Sequence, residues 1–457
     1  MRPAVIHSGR RRSTSSRRSL LLILLVLFII FMLYKFNSSN KNSPTEEQKQ
    51  QPEVLENEVE DIRYMKTDDI SFDDPKRAGF PRIFCMIPSQ PHAREKFRTI
   101  LDTWGIWCDG LRFTIDPKEY SEPGKEHLQP EEEVEEITST DGSITGKIVM
   151  LNKLVRKKGN RCFTGASEYN PKTKKNEPVF TACRHIWEKV WRSWVYVADH
   201  LAEDYDFFFK VDDDTFFFVP AMREVIIEKG FKESEYHYFG QRVFPIGPDK
   251  PLIAGALVGF SRATLKAVAA KYKTMEHEYG DRRNFKHGRC VDRDGATEEV
   301  TTSICLASIG IAAEPLYDET VMPRRPHMLL WMPRDMLTFT RRDNSSSWFY
   351  KHAPRDVGTL ENCCSTRPVG FHFMRADSDL RRVKDLIMDP QNKLELEKTV
   401  KEKVPIWLEN PTKYSPCVFD HMPFPGKTCA LEAQYWLDVK KKWHERDPIN
   451  YRRRLYD

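Results

Sequence analysis

No Cys-x-x-Cys pair occurs among the ten cysteines, which removes the usual signature of a structural zinc site. A strong excess of charge is also missing. The formal net charge is +5 over 457 residues, and Arg2, Arg10, Arg11, Arg12, Arg17 and Arg18 sit together at the N-terminus. Without that cluster the remainder is near neutral, so the electrostatic footprint of a nucleic-acid binder is absent. The unbroken apolar run at 20–34 is followed by no small-x-small cleavage site, which argues against a removed signal peptide. Residues 37–77 have no apolar periodicity and are rich in Gln, Glu, Asn and Lys.

These absences leave a definite organisation. The arginines are expected to form a cytoplasmic tail at 1–18. A signal-anchor transmembrane helix is then expected at 19–36, oriented by the positive-inside rule. The run is shorter than the roughly 20 residues of a standard span, as suits a thin membrane early in the secretory pathway. Residues 37–78 read as a solvated luminal stem. A catalytic domain at 79–390 and an extension of unassigned role at 391–457 follow. An even number of cysteines in an oxidising lumen implies disulfides. Asn37 and Asn344 head N-glycosylation sequons.

Within the luminal part, strands are expected at 82–87, 111–115, 147–154, 207–209 and 252–260. Helices are expected at 93–104, 184–201, 221–229, 262–273 and 393–403. Trp187, Val190, Trp191, Trp194, Ala198 and Leu201 recur at spacings of three and four, one face of an amphipathic helix. The acidic stretch within 122–142 reads as a solvated surface excursion, and 160–179 as a basic loop near Cys162 and Cys183. Alternating strands and helices predict an α/β fold with a mostly parallel sheet. Ligands of such sheets bind beyond the carboxyl ends of the strands.

Asp212, Asp213 and Asp214 fall at such an end, between Phe207, Phe208, Phe209 and Phe216, Phe217, Phe218. Three like charges beside desolvated rings repel one another, and a divalent cation offsets that cost. Oxygen ligands suit Mg²⁺ or Mn²⁺, which leave positions for substrate phosphates. The competing reading is a solvated acidic turn. Asp212 and Asp214 alternate along an extended chain and point the same way, so they form the better ligand pair.

Five elements in order resemble the core 1 β1,3-galactosyltransferases of glycosyltransferase family 31. They are Arg82-Ile83-Phe84-Cys85 with Thr103-Trp104 and Cys108; Tyr205 through Thr215; Tyr238-Phe239-Gly240-Gln241-Arg242; Gly295-Ala296-Thr297-Glu298-Glu299 with Cys305; and Cys363-Cys364-Ser365 with Phe371-His372-Phe373. The resemblance covers about 82–381. It implies a single GT-A-type nucleotide-sugar-binding domain and inverting transfer of galactose from UDP-galactose to N-acetylgalactosamine on Ser or Thr. It further implies a single-pass Golgi membrane protein with a luminal catalytic domain, Mn²⁺ as cofactor and O-GalNAc glycoproteins as acceptors. A homodimer is compatible with it, and no nucleic-acid partner is expected.

Carried onto this chain, the resemblance makes Asp212, Asp214 and His372 the metal ligands. Ser89, Asp213, Gly255 and Arg242 become the donor-binding candidates, and Trp348 and Tyr350 the acceptor-binding aromatics. The family's base lies in a Glu-Asp pair, here Glu298-Glu299, so Glu299 takes the aspartate's place. Its extra methylene moves the carboxylate by roughly 1.5 Å, enough to disturb positioning. Leu257-Val258 replaces a Gly-Tyr pair, either as a bulkier wall near the sugar or as a repacked strand. Disulfides Cys85–Cys108 and Cys290–Cys305 are implied by the family, and Cys162–Cys183 by proximity alone. Cys417 and Cys429 could close a small loop. The adjacent Cys363 and Cys364 are not expected to bond each other, because the ring strains the peptide between them.

Two other functions fit the same motifs. One is a related transferase with another donor, such as UDP-N-acetylglucosamine. The other is a non-catalytic luminal chaperone, against which the three retained aspartates count.

Overall fold

The computed structural model describes residues 80–116, 131–152, 154, 161–182, 186–245, 250–278, 289–293, 297–338, 348–374, 376–417 and 423–446. The expected tail, anchor and stem lie outside them, as do Asn37, Asn344 and Cys183. Among the described residues no helix is long and apolar enough to cross a membrane.

The chain runs β1 (Ile83–Pro88), α1 (Arg94–Asp102), β2 (Gly110–Ile115), β3 (Glu132–Thr138), β4 (Thr145–Met150), β5 (Arg161–Asn170), β6 (Lys175–Ala182) and α2 (Ile186–Leu201). Next come β7 (Phe207–Val211), β8 (Phe216–Phe217), α3 (Val219–Glu228), β9 (Tyr238–Val243), β10 (Leu252–Ser261) and α4 (Arg262–Lys273). β11 (His277–Glu278) and β12 (Asp292–Arg293) pair with each other, and α5 (Glu298–Ser308) follows. The last third holds β13 (Ala313–Pro315), β14 (Tyr317–Asp318), β15 (Arg325–Pro326), β16 (Met328–Leu329), α6 (Pro333–Met336) and α7 (Trp348–His352). It ends with β17 (Gly370–Phe371), α8 (Asp377–Met388), α9 (Pro390–Glu409), β18 (Tyr414–Pro416), β19 (Pro423–Pro425) and α10 (Gly426–Arg446).

The main sheet has eight strands in the order β13-β9-β10-β7-β1-β2-β4-β3. Only β10 and β3 run against the other strands, so the α/β fold with a mostly parallel sheet is observed. Both faces are covered. On β7, Phe207, Phe209 and Val211 enter one apolar cluster and Phe208 the other. β1 divides likewise, with Ile83, Cys85 and Ile87 on one side and Phe84 and Met86 on the other. The period of two along a doubly covered strand explains why these segments read as continuous apolar runs. Trp187, Val190, Trp194 and Val197 of α2 pack into the second cluster, as the helical spacing predicts. Gly259 lies where β10 crosses two rings: a Cβ there would sit 2.7 Å from both Phe209 and Phe239.

Several expectations require correction. The acidic stretch contains an edge strand, β3, paired with β4. Glu133 on it meets Arg112 at 2.8 Å and Lys147 at 3.0 Å. Partial burial would raise its pKa, but hydrogen bonds from Lys147, Tyr196 and Arg112 hold it down at about 2. Charges suit an edge because they discourage further strand addition. The expected basic loop at 160–179 is instead the hairpin β5–β6, carried by a backbone ladder with a register shift between Phe163 and Ser167. Its weak apolar alternation hid it.

Disulfides join Cys85 to Cys108, Cys290 to Cys305 and Cys417 to Cys429. Contrary to expectation, Cys363 and Cys364 are bonded to each other. The strain expected of the small ring does not exclude the bond here. Cys363 directly follows a 3₁₀ turn, Leu360–Asn362, and takes a helical backbone conformation. The Cys162–Cys183 pairing falls outside the described residues.

Candidate active site

The parallel strands β1 and β7 end side by side, and the candidate residues follow those ends. Ser89 comes directly after β1, and its hydroxyl donates to Asp213 at 2.5 Å. Lys189 of α2 donates to the Ser89 carbonyl at 2.7 Å and pairs with Asp116 at 2.5 Å, so a helix side chain clamps this strand end. The aspartate loop is tied by the Asp212 amide to Ala256 of β10 at 3.1 Å, and by the Thr215 amide to the Asp212 carbonyl at 3.0 Å.

His372 arrives from a separate three-stranded sheet, β16-β17-β8. Its amide donates to the Leu329 carbonyl at 2.9 Å, and the Met374 amide donates to the Asp214 carbonyl at 2.8 Å. Phe373, between them, takes a left-handed φ of 64° and stacks on the His372 ring with centroids 4.0 Å apart. That backbone is uncommon for a residue other than glycine, and such strain gathers at functional sites.

Asp212, Asp214 and His372 each present one ligand atom, all within 4.8 Å of one another and all half-buried. His372 Nε2 is 3.1 Å from Asp214 Oδ1 and 3.8 Å from Asp212 Oδ2. Burial would raise the Asp214 pKa, but the hydrogen bond and charge of His372 hold it below the ordinary value. Asp213 goes the other way: burial and the neighbouring Asp214 and Asp212 raise it, against the Ser89 hydrogen bond. Two carboxylate oxygens and one imidazole nitrogen form a donor set that fits Mn²⁺.

On the other side of Asp212 stands Lys210, a fully enclosed lysine inside β7. Its ammonium reaches Asp212 Oδ1 at 2.6 Å, Glu298 Oε2 at 3.1 Å and the Gly255 carbonyl at 2.6 Å. Burial opposes its charge, but the two carboxylates raise its pKa above the ordinary lysine value. Glu298 and Glu299 open the first turn of α5, where the helix dipole favours anions. Glu298 is buried, and that burial raises its pKa above the ordinary glutamate value, against the charge of Lys210 and with those of Glu299 and Asp212. Glu299 is half-buried. A Cβ on Gly255 would lie 3.1 Å from Glu298 Oε2 and 3.6 Å from Glu299 Oε2, so the glycine lets both carboxylates approach β10.

The remaining candidates are placed differently. Arg242 reaches the Ala313 carbonyl at 3.5 Å and lies over the Phe244 ring. Tyr350 is buried in the first apolar cluster, packed on Phe349 at 5.0 Å, which leaves it no open face for a sugar. Trp348 is 44% exposed and rests against the His352 ring with centroids 5.0 Å apart. Leu257 and Val258 are both in the core, in different clusters, so the repacked-strand reading describes them.

No protein-family model matches the chain. Over 189 residues it is 22% identical to the glycoprotein-N-acetylgalactosamine 3-beta-galactosyltransferase 1 of Xenopus laevis. The match covers 41% of this chain and 47% of the relative. The chain thus spans about half the length of the curated relative it matches. The likeness supports a relationship to the β-galactosyltransferases. Sequence reasoning overlooked Lys189 and Lys210. Lys210 had a signal: a lone charge inside an otherwise buried aromatic strand.

Proposed function

We propose that the chain is a membrane-anchored, inverting β1,3-galactosyltransferase that moves galactose from UDP-galactose to N-acetylgalactosamine linked to Ser or Thr. The observation that carries this reading is the convergence of Asp212, Asp214 and His372 beyond the strand ends. Similarity to a galactosyltransferase supports the same reaction class. The apolar run at 20–34 behind its arginines supports a single-pass Golgi anchor with the catalytic part in the lumen.

Mn²⁺ held by these three residues would offset the charge that builds on the departing UDP. Asp212 offers Oδ2, because its Oδ1 is taken by Lys210. Asp214 is held ionised beside His372. Ser89 fixes Asp213, leaving its other oxygen for a ribose hydroxyl or backbone group.

Inversion requires a base on the face opposite the leaving group. Glu299 fits that role better than Glu298, which is buried against Lys210. Trp348 is the candidate platform for the acceptor sugar. Replacing Asp214 by Asn tests the carrying observation by titration of UDP in the presence and absence of Mn²⁺. The variant is expected to lose metal-dependent UDP binding; unchanged binding refutes the ligand assignment.

A further inference from the structure

Lys210 has more to do than fill a buried position. A charged lysine enclosed in a sheet is costly unless every proton of its ammonium finds an acceptor. Here the acceptors are Asp212 Oδ1 after β7, Glu298 Oε2 of α5 and the Gly255 carbonyl of β10. The contact divides the Asp212 carboxylate, with Oδ1 on the ammonium and Oδ2 toward His372. The same ammonium also touches the first residue of α5, whose next residue is Glu299.

We propose that Lys210 is a positioning residue that links cation binding at Asp212, Asp214 and His372 to the placement of the Glu298–Glu299 pair. The proposal rests on the metal reading given above. A cation arriving at Asp212 Oδ2 repels the ammonium and loosens its hold on Oδ1. Lys210 then leans on Glu298, the other carboxylate it touches, and fixes the start of α5 that carries Glu299. Linkage is reciprocal: removing the Glu298 charge leaves Asp212 as the carboxylate that pairs with the ammonium, where it competes with the cation. The acidic pair is thereby set in place when the metal site is loaded, before an acceptor needs its base.

The test is Mn²⁺ alone, titrated by calorimetry into the full chain, Glu298→Gln, and Glu298→Gln combined with Lys210→Met. The double variant exchanges a buried ion pair for a neutral pair, a change that folded proteins commonly tolerate. Glu298→Gln is expected to weaken Mn²⁺ binding roughly fivefold or more, the lower end of ordinary site-to-site coupling. Adding Lys210→Met is expected to restore the affinity to that of the unaltered chain or better. A Lys210 that only supports packing predicts further loss in the double variant, and a double variant no tighter than Glu298→Gln overturns the link. An unaltered chain that binds no Mn²⁺ overturns the metal reading itself, and this proposal with it.

Discussion

At the scale of single residues, the site is a distribution of charge among groups that could not be buried alone. Three aspartates, one histidine, one lysine and two glutamates meet around the ends of β1, β7 and β10. Lys210 neutralises part of the cluster and His372 holds another part. The Asp-rich motif was legible because carboxylates between phenylalanines contradict any packing explanation. The lysine's role was not, since a residue 88 positions away in the chain supplies its second partner. Glu299 is where the account is most exposed at this scale. Glu299→Gln should leave Mn²⁺-dependent UDP binding intact while lowering the transfer rate at least ~100-fold, the usual contribution of a general base. Parallel binding and single-turnover measurements check this; retained turnover would move the base elsewhere.

At the scale of elements, the small sheet β16-β17-β8 does what no local pattern announced: it carries His372 to the aspartate loop. Two-residue strands have too little periodicity to be read from sequence, whereas β1, β7 and β10 were legible because both faces are buried. His327, immediately before β16, accepts the Val369 amide at its carbonyl, 2.8 Å away. Its Nδ1 donates to the Arg367 carbonyl at 2.9 Å. Burial pushes the His327 pKa down to about 4, below the unfolded value. Between those two values the unfolded chain binds more protons, so stability falls on acidification. The contribution is full above about pH 6.5 and is lost as the pH falls toward 4, amounting to about 3 kcal/mol. His327→Gln should flatten the pH dependence of the urea midpoint between pH 7 and 4. An unchanged slope would place the acid sensitivity elsewhere.

At the scale of the molecule, the chain beyond 390 packs into the same core as the site. Trp436 and Trp443 of α10 lie in the first apolar cluster. Trp436 meets Phe371 at 5.1 Å and Trp443 meets Phe218 at 5.4 Å. Phe371 directly precedes His372, so α10 supports the strand that presents the histidine. None of this could be read from the sequence, where the pattern beyond 390 is weak and the partners are distant in the chain. Trp436→Ala should cost about 3–5 kcal/mol, as large buried truncations do, measured by equilibrium denaturation. A change below ~1 kcal/mol would show that α10 is peripheral to the core.

The central claim is sugar transfer at the metal site. The most direct test incubates residues 79–457, produced in an oxidising host, with a GalNAc-peptide, Mn²⁺ and a panel of UDP-sugars. Transfer from UDP-galactose, abolished by Asp214→Asn, is the result expected. A folded protein that turns over no donor would contradict the account, and would leave these residues the role of a non-catalytic partner.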